Sequence, residues 1–166
     1  MDDSTLVRLE VRALLVDPDT KAPVVVLEES GAANLLPIWI GPFEAFALSR
    51  ALQGETPVRP LTHELLGQVI RDLGAELHSV AIVAIQDSTF IGELRLVRPD
   101  GSVIKVDSRP SDAITLASRF GAPIFAARTV IEQGKCIKLD EDETEEERLR
   151  KILESLDPSD SGGYTM

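Results

Sequence analysis

Apolar and polar residues alternate from Val7 to Arg12, the period of a strand with one face buried. Asp17-Pro18-Asp19 is a turn signal, and the β-branched run Pro23–Leu27 predicts a second strand, so the pair reads as a hairpin. Leu35–Ile40 predicts a third strand, and Pro37 within it points to an edge or a bulge. Gly41-Pro42 then opens a helix, since a proline at the first helical position leaves no N–H unpaired. That helix runs to Gln53 and is apolar almost all round, which predicts burial of most of its surface. A second helix is predicted from an N-cap at Thr62 to Leu73, with Leu65, Leu66, Val69, Ile70 and Leu73 as its core stripe and Gly74 as its left-handed stop.

Three further strands follow at Ala75–Ile85, Thr89–Val97 and Val103–Val106, turned by Gln86-Asp87-Ser88 and by Pro99-Asp100-Gly101. Asp107–Asp112 leads into a helix ending at Phe120, with Ser108 or Ser111 as its cap. Pro123–Ala127 is a short strand, and Thr129-Val130-Ile131 begins another element. The order βββ-αα-βββ-α-β-α predicts an α+β fold with a curved, mainly antiparallel sheet and inserted helices. After Leu139 an acidic run begins, and Leu149, Ile152, Leu153 and Leu156 have the spacing of a short amphipathic helix. The chain therefore divides into a domain over 1–139 and an acidic tail over 140–166, whose end from Asp157 to Met166 is expected to be disordered and which is expected to be removable without loss of the core.

Composition narrows the function. The 166 residues are 43% hydrophobic and 4% aromatic, enough for one core built from Leu, Val, Ile and Ala. Of the net charge of −11, the tail carries −7 and residues 1–139 carry −4, so no basic footprint marks a tight, non-specific nucleic-acid binder. No apolar run reaches membrane-spanning length, and the N-terminus lacks a signal peptide, so a cytoplasmic protein without a membrane partner is expected. A single thiol, Cys136, rules out an internal disulfide and is read as a small buried hydrophobe or a simply exposed side chain rather than a nucleophile. Phosphate-binding glycine loops, the Gly-x-Ser-x-Gly elbow and His-Glu-x-x-His are all missing.

Three segments bear chemistry. In Arg59-Pro60-Leu61-Thr62-His63-Glu64, His63 and Glu64 fall in the first turn of a helix, with Arg59 just outside it to meet a phosphate or carboxylate. Asp107-Ser108-Arg109-Pro110-Ser111-Asp112 packs two carboxylates, two hydroxyls and a guanidinium at a strand-to-helix junction, a set that suits Mg2+ or Mn2+. In Pro37–Glu44, Glu44 is a lone acid on an apolar helix and needs a partner if buried; Arg59 or Arg109 is the candidate. Each segment has a structural reading as well: caps, dipole complements, an Arg109–Asp107 pair, and Trp39 as a core or interface anchor.

Together the segments resemble the bifunctional nuclease family. The resemblance rests on Leu36-Pro37-Ile38-Trp39-Ile40-Gly41 with Glu44 and Ala45, on Arg59–Leu66, on Asp87-Ser88-Thr89-Phe90 and on Asp107–Ile114, and it covers about residues 5–135. Ser108 stands where the family commonly has a small residue such as Ala, and Glu64 where it commonly has Asp. The resemblance implies a mixed α/β fold, DNase and RNase activity, and a homo-oligomer, a dimer first. On that basis the expected chemistry is metal-assisted phosphodiester hydrolysis of DNA or RNA. Asp107, Asp112, Glu44 and Glu64 would hold Mg2+ or Mn2+, Arg59 and Arg109 would grip the phosphate, His63 would serve the acid–base step, and Ser111 is a further catalytic candidate. The competing reading is a non-enzymatic binding or regulatory module in which the same residues fix helix starts or a subunit interface.

Overall fold

The computed structural model describes residues 6–140 and 142–157. Apart from Asp157, the end expected to be disordered lies outside them. The chain forms β1 (Leu6–Val16), β2 (Pro23–Glu29), β3 (Asn34–Trp39), α1 (Pro42–Leu52), α2 (Thr62–Asp72), β4 (Glu76–Gln86), β5 (Thr89–Val97) and β6 (Val103–Ser108). It continues with α3 (Pro110–Phe120), β7 (Ile124–Ala127), α4 (Arg128–Gln133), β8 (Ile137–Lys138) and α5 (Glu145–Ser155). The α+β class and the element order of the sequence reading hold. The element expected from Thr129-Val130-Ile131 is the short α4, and β8 is an addition, too brief to leave a periodic signature.

One eight-stranded sheet runs β6-β5-β4-β7-β1-β2-β3-β8. Its neighbours are antiparallel except β4 and β7. Strand β7 thus joins two meanders, β1-β2-β3 and β4-β5-β6, into a single sheet. Pro37 lies in β3 beyond the two residues that pair with β8, on a stretch of edge where a missing N–H costs nothing. At the β4–β5 hairpin, Asp87 and Ser88 both have positive φ, 47° and 61°, as a tight two-residue turn requires.

Strand β2 is apolar without alternation because both of its faces are covered. Val25 and Leu27 face the core under the helices, whereas Val24 and Val26 join Trp39, Ile152 and Leu156 on the other side. Helix α5 is therefore not a free appendage. It buries Ile152 and Leu156 against the back of β2 and β3. Its start is fixed by Thr144, whose hydroxyl accepts from the Glu147 N–H while Glu147 accepts from the Thr144 N–H.

On the other face α3 lies deepest, burying Ala113, Ile114, Leu116 and Ala117 and ending at Gly121 in the left-handed region (φ 70°). Helices α1 and α2 flank it, and here the sequence expectation fails. In α2 only Gly67 and Ile70 are buried, while Leu65, Leu66, Val69 and Leu73 are exposed. In α1 the buried residues are Ala45, Leu48 and Ala51, with Phe43, Phe46 and Leu52 exposed. The buried side of α2 is instead carried by Gly67 and Ile70. A Cβ at Gly67 would stand 2.1 Å from the Phe120 ring, so glycine there lets the ring of α3 press against the α2 backbone.

Candidate functional site

The first turns of α1, α2 and α3 supply Glu44, His63 and Asp112, and these three helix starts meet around Arg109. The Arg109 Nε and Nη2 donate to the two oxygens of Asp112 at 2.7 and 3.1 Å, and Nη1 donates to Glu44 Oε1 at 2.8 Å. His63 Nε2 lies 3.0 Å from Asp112 Oδ1. Arg109 is 53% exposed, and two of its five N–H donors remain outside these bonds. His63 and Glu44 are mostly covered.

Charge pairing sets the protonation of this network. The hydrogen bond from His63, with that from Arg109, outweighs partial burial and holds the Asp112 carboxyl down at about 2. The bonds to Asp112 and then Glu44 push the Arg109 guanidinium well above its usual value. Across the working range the centre is an ionised carboxylate that aligns an imidazole beside a permanent cation.

Glycines make room for it. Glu44 folds back over Gly41, where a Cβ would stand 2.1 Å from its Oε2. On β5, a Cβ at Gly92 would meet Ser108 O at 2.9 Å and Arg109 C at 3.1 Å, so the β6–α3 junction can lie flat against the sheet only over a glycine. Helices α1 and α3 both begin without a side-chain cap, at Gly41 and Arg109. Neither Ser108 nor Ser111 caps α3, because Arg109 occupies the capping position. Uncapped starts leave backbone N–H groups available to an anion.

The remaining candidates stand apart. Glu64 binds inward, accepting from the Leu61 N–H at 3.1 Å and pairing with Arg119 at 3.1 Å. The cap of α2 is accordingly Leu61 rather than Thr62. Ser111 is 3% exposed on the packed side of α3. Arg59 is exposed in the α1–α2 connection. Asp107 sits opposite Glu93 in the β5–β6 register. Strand alternation puts it on the face opposite Ile104, which packs toward the helix-side core, so Asp107 and Asp112 point to different sides of the sheet. Burial pushes the Cys136 thiol up, away from the thiolate a nucleophile needs. Arg119, which anchors Glu64, escaped the sequence reading; its spacing of seven from Asp112, on one face of α3, was the available signal.

Mg2+ or Mn2+ does not suit this donor set. Both Asp112 oxygens and Glu44 Oε1 are held by cationic or imidazole groups, both Glu64 oxygens have partners, and Asp107 is on the other face. Among the described residues no three His, Cys, Asp or Glu side chains converge to hold an ion. No helix among them is long and apolar enough to cross a membrane.

A family model, the bifunctional nuclease domain, matches residues 25–138. Proteins from two strains of Mycobacterium tuberculosis, both described as uncharacterised, are 37% identical over 161 residues, 92% of this chain and 96% of theirs. Bifunctional nuclease 2 of Oryza sativa subsp. japonica is 31% identical over 111 residues, covering 65% of this chain and 34% of that protein. Bifunctional nuclease 2 of Arabidopsis thaliana is 28% identical over 125 residues, covering 69% and 38%.

Proposed function

The chain belongs to the bifunctional nuclease family, and from that premise we propose that it hydrolyses phosphodiester bonds of RNA or DNA at the Glu44–Arg109–Asp112–His63 network. The observation that supports this reading is the pairing of a carboxylate-aligned imidazole with a half-exposed guanidinium where three helices begin. The uncapped starts of α1 and α3 and the free Arg109 donors together make a place for a phosphate.

In this reading Arg109 takes two phosphate oxygens on its outward N–H groups and offsets the charge that grows on them during attack. His63, its Nε2 held by Asp112, accepts the proton of the attacking hydroxyl at Nδ1, and Asp112 stabilises the imidazolium that forms. A new P–O bond forms, the bond to the leaving sugar oxygen breaks, and that oxygen takes up a proton from the imidazolium or from water. Glu44 holds Arg109 in position from the other side.

The test is cleavage of single-stranded RNA and supercoiled DNA by the wild type and by His63→Ala and Arg109→Ala, each with Mg2+, Mn2+ or EDTA. Both substitutions are expected to cost ~100-fold or more in turnover, the usual weight of a general base or a transition-state cation. Equal cutting by a folded His63→Ala would refute the assignment. Loss of cutting in EDTA would mean that a carboxylate here exchanges its present partner for an ion. One observation favours a binding module instead: the acids of this network are already satisfied within the chain. That reading expects nucleic acid to bind, with Arg109→Ala weakening it, and no product to appear.

A further inference from the structure

A hydrogen bond to Asp112 ties His63 to the Arg109 network, and packing behind the ring does little to fix it. A cavity of about 20 Å³ lies there, walled by Ala47, Arg50, His63, Glu64, Thr115 and Arg119, so the imidazole is not wedged from that side. Where His63 stands is set by where the first turn of α2 stands. The chain reaches that turn through residues 53–61, of which Pro57 alone is even half-buried. A segment so exposed cannot hold α2 by its own packing.

Arg119 bridges the two ends of this connection. Its Nε pairs with Glu64 Oε1 at 3.1 Å, and its Nη1 donates to the Glu55 carbonyl oxygen. Glu55 is itself tied to α1, through its N–H to Arg50 O at 3.1 Å and its carboxylate to Arg50 Nη1 at 2.9 Å. Glu64 accepts from the Leu61 N–H with its other oxygen and so closes the first turn of α2. Arg119 stands seven residues after Asp112, two turns and ~10 Å along the same face of α3. Helix α3 therefore grips α2 at consecutive residues, His63 through Asp112 and Glu64 through Arg119. The Arg119 side chain is only 13% exposed, which shields its pair from solvent and keeps it from a bound strand.

We propose that Arg119 is a positioning residue: by clamping Glu64 and the Glu55 carbonyl to α3, it sets the distance of His63 from Asp112 and from a phosphate on Arg109. Lysine is no substitute, because the two anchors are reached by different nitrogens of one rigid fork. The catalytic part of the inference rests on the nuclease reading of the network; the clamp itself rests on geometry alone. A shift of ~1 Å at a reacting group, caused by a change away from the chemistry, costs on the order of 100-fold in rate.

The test is steady-state cleavage of single-stranded RNA joined to nuclear magnetic resonance of the His63 ring, both on the full chain. Arg119→Met removes the fork and keeps an apolar stem, so turnover should fall ~10–100-fold with KM within ~3-fold of wild type. Arg119→Lys should recover part of the loss. Glu64→Gln, which retains an oxygen for the Leu61 N–H, should lose turnover similarly, and the Arg119→Met/Glu64→Gln double variant should lose no more than either alone, since both cut the same link. Without reference to turnover, the His63 Nε2–H signal, assigned by its loss in His63→Gln, should be sharp in wild type and broadened or lost in Arg119→Met. The ring signals of His78, exposed on β4, should not move. Circular dichroism verifies the fold, and Glu64→Gln carries the test if Arg119→Met does not fold. A folded Arg119→Met with wild-type turnover and an unmoved His63 signal would overturn the proposal, as would unchanged turnover in Glu64→Gln. So would a rise in KM alone, which would make Arg119 a substrate contact. A wild type that cuts nothing would sink the nuclease reading and leave the clamp to be decided by the His63 signal.

Discussion

Asp112→Asn replaces one carboxylate oxygen with an amide and removes the charge shared by His63 and Arg109. The folded carboxyl sits at about 2 against an ordinary value of 3.8. One pKa unit is worth ~1.4 kcal/mol, so the gap corresponds to ~2.5 kcal/mol at full weight. Arg109 is half-exposed, and solvent screening brings the figure to ~1–2 kcal/mol. The sign follows from the direction of the shift. A carboxyl that is more acidic in the folded state adds stability above its unfolded value, and that stability drains away as pH falls from about 4 through about 2. Urea unfolding of wild type and variant should show a gap of ~1–2 kcal/mol near neutrality, a melting difference of ~2–8 °C for a chain of this size. Near pH ~3 about half of the gap should remain. A gap constant from neutrality to acid, or none at neutrality, would refute the charge-based account of this centre.

Three other perturbations probe the frame around it. Gly92→Ala pushes a methyl into the β6–α3 junction, so it should cost ~1–3 kcal/mol in urea unfolding and reduce cleavage by more than stability alone explains. Removing everything after Leu139 strips Ile152 and Leu156 from Trp39 and Val24, and at ~1.5–3 kcal/mol per side chain the melting point should drop by roughly 10 °C; an unchanged melting point would show the tail to be separable after all. Ser88→Gly relieves a left-handed residue in the β4–β5 turn and should raise stability by up to ~1 kcal/mol in the same assay.

Most elements were legible because each carries its own local physics. Alternation marks β1, the proline at the first helical position opens α1, and Gly121 ends α3. The site was legible as three segments but not as one network. Its bonds join residues 49 and 65 positions apart, and no local pattern encodes which helix starts meet. Proximity in sequence even misled. Asp107 and Asp112 are five residues apart, yet a strand ends between them and sends the first to the opposite face. The same limit explains α2. Periodicity reports that Leu65, Leu66, Val69 and Leu73 share an apolar face, and on that point it was correct. It cannot say which body covers that face, since the free energy of leaving water is the same whether the cover is the chain's own sheet or another molecule. A stripe that reads as core can therefore stand exposed in the folded chain, as on α2, because the period fixes the face and only the packing of α1, α2 and α3 decides what lies against it.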